Sequence, residues 1–233
     1  MTSAELEEKD ATAVLVLGGS GAIGTAIRDR FTSAGHRVIA TSTQDLDLSD
    51  PRSIKEWSTK PRPSIGTLLH AAGRNFPAPF TEMTTAEIER VFDVNVLGFL
   101  EVLRMVSDEL IDNRGRIVLV SSIFGFLSRH SRLAYAMSKH ALIGVMRTLA
   151  IEYAPKGVLV NAVSPGYIET PLTRQNNDVV TIDRLRRAVP VGRLGTAEEV
   201  AEAVYFLGSD RNTYINGHDL VVDGGFSIDG GRE

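Results

Sequence analysis

Tyr135 and Lys139 stand four residues apart in a stretch whose apolar positions repeat at helical spacing. On a helix they share one face, stacked a turn apart. An ammonium held beside a phenol stabilises phenolate and lowers the tyrosine pKa from its ordinary value of about 10. That would suit Tyr135 to general acid–base work near neutral pH. A lone Tyr-x-x-x-Lys is more often an exposed surface pair, so the neighbours decide. Ser121 and Ser122 close the aliphatic run Ile117 to Val120, which places them at the rim of a strand. Asn95 interrupts the helical pattern Val94-Asn95-Val96-Leu97-Gly98. An amide is a poor helix-interior residue and needs partners when buried. Its plain explanation is a helix kink satisfied by a local hydrogen bond.

A second group has the chemistry of an anion cradle. Gly18-Gly19-Ser20-Gly21-Ala22-Ile23-Gly24 lies between an apolar run and a helical pattern. Glycines admit a pyrophosphate close to the backbone, and the following helix N-terminus offers free N–H groups and partial positive charge. Gly18, Ser20, Gly21, Ile23 and Gly24 are therefore candidate dinucleotide ligands. A glycine-rich turn can also be only a tight turn, but its position at the opening of an α/β chain favours the ligand. Cofactor choice turns on the end of the second strand, Ala40-Thr41-Ser42-Thr43-Gln44. An acid there would bind the ribose hydroxyls of NAD, and a base the phosphate of NADP. Neither is present. Ser42 and Thr43 can hydrogen-bond a phosphate, so the reading favours NADP(H), with NAD(H) left open by Asp45.

These residues need a scaffold, and the sequence outlines one. Val14 to Leu17 reads as a buried strand, Ala22 to Ala34 as a helix closed by Gly35, and Arg37 to Thr41 as a second strand. Leu46 to Leu48 reads as a very short third strand. Asp50-Pro51 opens a helix, Thr67 to Ala71 is a strand, and Thr84 to Glu87 is a capping box before a helix reaching about Leu110. Strands at Ile117–Val120, Val158–Val163 and Leu220–Val222 alternate with helices at Tyr135–Tyr153 and Ala197–Leu207. Aliphatic strands alternating with amphipathic helices imply a parallel sheet covered on both faces, a doubly wound α/β fold with ligands beyond the C-terminal strand ends.

Composition narrows the function classes. The 233 residues are 43% hydrophobic and 23% charged, enough for one sizeable core. The net charge of −4 gives no general attraction to nucleic acid or acidic membranes. Cysteine is absent, which excludes disulfides and thiolate metal sites, and no histidines have metal-ligand spacing. The acidic opening stretch is unlike a signal peptide, and no apolar run approaches the ~18 residues of a membrane span. A cytoplasmic location is expected.

Taken together the motifs resemble the short-chain dehydrogenase/reductase family, and most of all its 3-oxoacyl-carrier-protein reductase-like branch. Tyr135-Ala136-Met137-Ser138-Lys139 matches the family's Tyr-x-x-x-Lys, Ser122 its catalytic serine and Asn95 its tetrad asparagine. Ser164 to Thr170 matches the Pro-Gly segment beside nicotinamide, and Gly192 to Val200 and Val222 to Gly225 match the C-terminal motifs. The likeness runs from Ala13 to Ser227. It implies a single Rossmann-fold domain over 13–227, with flexible tails at 1–12 and 228–233. Departures are Leu17 for the opening threonine, Ala22 for the middle glycine, and His70-Ala71-Ala72-Gly73 for Asn-Asn-Ala-Gly, which loses two amides that would brace the central strands. The bases common in NADP-using members are replaced by Gly21 and Thr43, and the helix between the second and third strands is missing.

The resemblance implies a hydride transfer between a nicotinamide and a ketone or secondary alcohol. Ser122 and Tyr135 would hold the substrate oxygen, Lys139 the ribose, and Asn95 a water leading to Lys139. Asp47 and Leu48 would meet the adenine, Ala71, Ala72 and Gly73 would line the cleft, and Pro165, Gly166, Ile168 and Thr170 would hold the nicotinamide. A homotetramer is implied, with a small carbonyl or alcohol substrate, free or carrier-bound. Rival readings are an alcohol dehydrogenase working oxidatively, an isomerase or dehydratase on the same fold, and a non-catalytic dinucleotide sensor. His130 is expected to border the substrate mouth and His70 to pack near the cofactor. The stretch from Pro171 to Pro190 is expected to form a lid. Its Arg174, Arg184, Arg186 and Arg187 are read as a solvated face, or as contacts to an acidic carrier.

Overall fold

The computed structural model describes residues 12–175 and 178–229. Most of both expected tails lies outside them. Thr12 already belongs to the first strand, and Ile228 and Asp229 close a last helical turn. Six strands, β1 (Thr12–Leu17), β2 (Arg37–Thr41), β3 (Ser64–His70), β4 (Arg116–Val120), β5 (Leu159–Pro165) and β6 (Asp219–Val222), form one sheet. The order is β2-β1-β3-β4-β5-β6, and every pairing is parallel. The order reverses between β1 and β3, which makes their C-terminal ends the switch point where such sheets take ligands.

Both faces of the sheet are covered, as the aliphatic strands require. One layer packs Leu15, Leu17, Leu68, Ile117 and Leu119 against α2 (Pro51–Ser58), α4 (Gly98–Asp112) and α5 (Leu133–Tyr153). The other packs Val14, Val16, Leu69 and Val118 against α1 (Ala22–Ser33) and α6 (Ala197–Gly208). Local chemistry sets several helix starts. The Asp50 side chain caps α2 ahead of Pro51, and reciprocal capping boxes open α3 (Thr85–Phe92) and α6.

Two expectations are corrected. Leu46 to Leu48 is not a strand. It is an irregular segment with both leucines buried against α2 and α4, and the sheet ends at β2. The long helix after Thr84 is also not regular. Asp93–Leu97 is a π-helical turn between α3 and α4. Immediately after it, the Leu48 carbonyl approaches so closely that a Cβ on Gly98 would lie 2.1 Å from it. The loop that replaces the missing strand therefore needs a glycine at that crossing.

Candidate active site

The glycine turn follows β1 and faces β3. Gly18 has φ +79°, and a Cβ there would meet the Ala72 backbone at 2.5 Å, so two chain segments touch at the switch point only because a side chain is absent. Gly21 is the N-cap of α1. No side chain caps this end, and no acid lies in the first turn. Its first N–H groups are thus uncommitted and point where an anion would sit. A cleft of about 390 Å³ opens here, and it draws in most of the expected cofactor residues. Gly18, Ser20 and Gly21 form its floor, Ser42, Thr43, Asp47 and Leu48 one side, and Ala71, Ala72 and Gly73 the other. Gly24 lies buried behind the turn, where a Cβ would collide with the Gly18 carbonyl at 2.1 Å, and Ile23 packs toward the core. Both support the cradle without lining it. The stripped backbone, free helix end and mixed polar wall fit a dinucleotide.

The residues expected to be catalytic lie just beyond this cleft. Ser122, after β4, and Tyr135, in the first turn of α5, line a second cavity of about 150 Å³ with Gly166 and Ile168. Pro165 ends β5 beneath them, while Thr170 is occupied with Thr173, 3.0 Å away. Lys139 is buried, and its Nζ donates to the Val120 carbonyl at 2.8 Å. That leaves two of the three ammonium donors uncommitted. A Cβ on Gly73 would lie 3.6 Å from Nζ, so Lys139 reaches the wall shared with the nucleotide cleft. Burial holds the Lys139 pKa down to about 8.

The electrostatics refine one expectation. Lys139 Nζ donates to the Val120 carbonyl and lies 5.5 Å from the Tyr135 ring centre, so its charge favours the phenolate through space and not through a hydrogen bond. Burial pushes the Tyr135 pKa up, while the neighbouring Ser122 hydroxyl and the Arg132 charge pull it back. Asn95 corrects another. It is fully buried, and its hydrogen bonds are not local. Its Oδ1 accepts from the Arg74 backbone N–H at 2.6 Å, and its Nδ2 donates to the Arg74 carbonyl at 3.0 Å and to Ser138 Oγ at 2.8 Å. The π turn thus clamps the segment after β3 to α5, with the whole Asn95 amide engaged by protein.

His70, where the family's pattern has an asparagine, ties the end of β3 to the π turn rather than to a neighbouring strand. It is fully buried at the end of β3, stacks on Phe99 at 4.8 Å, and lies 2.9 Å through Nε2 from the Asn95 carbonyl. A carbonyl only accepts, so Nε2 carries the proton and Nδ1 is bare. Nδ1 is buried without a partner. Burial, with Lys139 nearby, drives the His70 pKa down to about 3, so the ring is neutral. His130, by contrast, is exposed and bonded to Ser131. It does not line the cavity. Sequence reasoning missed the lining residues Asn75, Arg129, Arg132 and Tyr167, and Arg74 in the nucleotide cleft. Their nearness along the chain to Gly73, Tyr135 and, for Tyr167, Gly166 was the available signal.

The family described as enoyl-(acyl carrier protein) reductase matches residues 28–227. This chain is a short-chain dehydrogenase/reductase. It is 35% identical to the 3-oxoacyl-[acyl-carrier-protein] reductase FabG of Buchnera aphidicola, over 95% of this chain and 98% of that one. It is 34% identical to FabG of Escherichia coli, over 91% and 95%. Among solved structures, the aldohexose dehydrogenase of Thermoplasma acidophilum superposes with a TM-score of 0.84 at 32% identity, covering 95% of this chain and 96% of that one. ElxO with NADP bound superposes at 0.83 with 27% identity, covering 94% and 99%. Membership makes the chain an oxidoreductase acting on C=O or CH–OH groups, with the single-domain Rossmann fold seen above.

Within this short-chain dehydrogenase/reductase the adenosine side is distinctive. Ser42 donates both its N–H, at 2.9 Å, and its hydroxyl, at 2.6 Å, to Asp45 Oδ2. Those bonds hold the Asp45 carboxyl below its usual range. The exposed arginines of the 171–190 stretch are largely neutralised. Arg174 and Arg186 share Glu169, and Arg187 pairs with Asp183. Among the described residues no three His, Cys, Asp or Glu side chains are grouped to hold a metal, and no helix is long and apolar enough to cross a membrane.

Proposed function

We propose that this protein is an NADP(H)-dependent reductase of small ketones, with Tyr135 as its general acid. One observation carries the reading. The Tyr135 phenol and the Ser122 hydroxyl share one cavity wall, and Lys139 lies behind it, within reach of Gly73 in the nucleotide cleft. A bound nicotinamide supplies the hydride. Ser122 and Tyr135 hold the substrate oxygen, and Tyr135 gives it a proton. The phenolate left behind is stabilised by Ser122 and Arg132, with the Lys139 charge 5.5 Å from the ring acting in the same direction. Lys139 offers its uncommitted donors to the cofactor's ribose, and Asn95 keeps the β3 segment and α5 in register.

The NADP(H) preference is supported by the absence of an acid at the end of β2 and by the NADP-bound ElxO relative. The Asp45 carboxylate bonded to Ser42 favours NAD(H) instead. A homotetramer in the cytoplasm belongs to the same proposal, and the FabG likeness makes an acyl group delivered on a carrier protein the rival to a free small ketone. Titration with NADPH and with NADH, followed by a ketone panel, tests the reading. Tighter NADPH binding with cofactor oxidation by at least one ketone is the expected result. Binding of either dinucleotide without turnover of any ketone would make the protein a sensor.

A further inference from the structure

Two arginines line the small cavity beside Tyr135, and neither is neutralised. Arg129 and Arg132 are both half-buried. Arg132 bonds only the Ser131 carbonyl, at 3.3 Å, and Arg129 only overlies the Tyr167 ring, at 6.0 Å. Neither has a carboxylate partner among the described residues. The nearest acid in sequence to Tyr167, Glu169, is already shared by Arg174 and Arg186. No acid lines the cavity.

The helix adds to the same sign. Arg132 is the N-cap of the 21-residue α5, no side chain caps that end, and its first turn holds no acid. The N-terminal partial charge of α5 therefore reinforces two full positive charges. Holding like charges together, partly out of water, is unfavourable without a counter-ion. The mutual effect is visible in Arg132, whose pKa is depressed by burial and by the Arg129 charge.

We propose that the substrate carries a fixed anionic group, a carboxylate or a phosphate, a few atoms from its carbonyl, and that Arg132 and Arg129 bind it. This rests on the ketone-reductase reading. A cavity of about 150 Å³ accommodates the anionic group and carbonyl of a short oxo acid or oxo phosphate, and any longer remainder would extend toward solvent. Arginine suits both anions because its planar donors grip two oxygens at once. Arg132 then does two things: it seats the anion, and its charge favours the Tyr135 phenolate as the proton leaves.

Three matched probes test this with the NADPH-loaded protein: acetoacetate, its neutral methyl ester, and 2-oxopropylphosphonate. The expected result is a kcat/KM for at least one anion roughly 10- to 100-fold above the ester, the scale of a charge-assisted hydrogen bond. The better anion identifies carboxylate or phosphate as the group. In Arg132→Gln and Arg129→Gln the anion-to-ester ratio should fall about tenfold or more. Using a ratio cancels any change in Tyr135 acidity, which affects both substrates alike. An ester turned over as well as the anions by the wild-type protein overturns the anion site and leaves the reductase. Ratios unchanged in both arginine variants do the same. If no probe is reduced although the ketone panel contains a substrate, the anion site falls and the reductase stays; if the panel is inert too, the reductase reading falls, and calorimetric titration of the NADP-loaded protein with 3-hydroxybutyrate decides the site alone. Binding weakened by Arg132→Gln retains it, and no binding removes it.

Discussion

Replacing His70 by glutamine should make the protein more resistant to acid. The glutamine Nε2 stands about as far along the side chain as the histidine Nε2, so it can still donate to the Asn95 carbonyl, but it does not titrate. In the folded chain His70 resists protonation down to about 3, because the ring is fully buried and Lys139 is near. In the unfolded chain it takes a proton near its ordinary value of 6.5. Below 6.5 the unfolded state therefore binds more protons, and stability falls as pH drops from 6.5 towards 3. At pH 5, about 1.5 pH units below the unfolded value, the loss is ~2 kcal/mol at ~1.36 kcal/mol per unit. Urea unfolding followed by circular dichroism at pH 7.5 and pH 5.0 reads it. Any cost of the substitution itself is present at both pH values and cancels. Wild type should lose ~2 kcal/mol more than His70→Gln between the two. Equal losses would mean that the imidazole is not held neutral, and the reasoning about its burial would be wrong.

Other outcomes follow from the site. The Lys139 ammonium is lost as pH rises through about 8, so kcat/KM for NADPH should decline above that pH. Lys139→Arg keeps its charge and should give a lower but flat profile over the same range, and a decline in both would place the titrating group elsewhere. Asp45→Ala frees both Ser42 donors and removes a charge facing any phosphate, so fluorescence titration should show NADPH bound roughly two- to five-fold tighter and NADH no tighter. Gly18→Ala must force a side chain against the Ala72 backbone at a left-handed position, so both thermal stability and dinucleotide affinity should drop.

Much of this was legible in the sequence because it depends on local patterns. Apolar runs stopped by glycines gave β1 and the cradle after it, and Asp50-Pro51 and Thr84–Glu87 marked helix starts through caps that act within four residues. The i, i+4 spacing put Tyr135 and Lys139 on one helix. What spacing does not specify is where a long side chain turns. Lys139 Nζ goes to a carbonyl at the end of β4, a contact set by how α5 packs on the sheet. The π turn was hidden for the same reason. Its pattern is helical, and its causes are the Asn95 bonds to Arg74 and Ser138 and the close crossing of Leu48 at Gly98. Leu46 to Leu48 has the composition of a strand but is buried against helices, and burial alone rewards apolar residues in any backbone shape. Arg129 and Arg132 sit in a loop, where no periodicity tells which side chains face the cavity.

The proposed mechanism stands or falls on Tyr135 delivering the proton beside a bound dinucleotide. Single-turnover oxidation of NADPH by Tyr135→Phe, with an active ketone and with NADPH affinity measured in parallel, tests it most directly. Cofactor binding should be unchanged and the rate lower by roughly 10²- to 10⁴-fold. Turnover near the wild-type rate in that variant would contradict the mechanism.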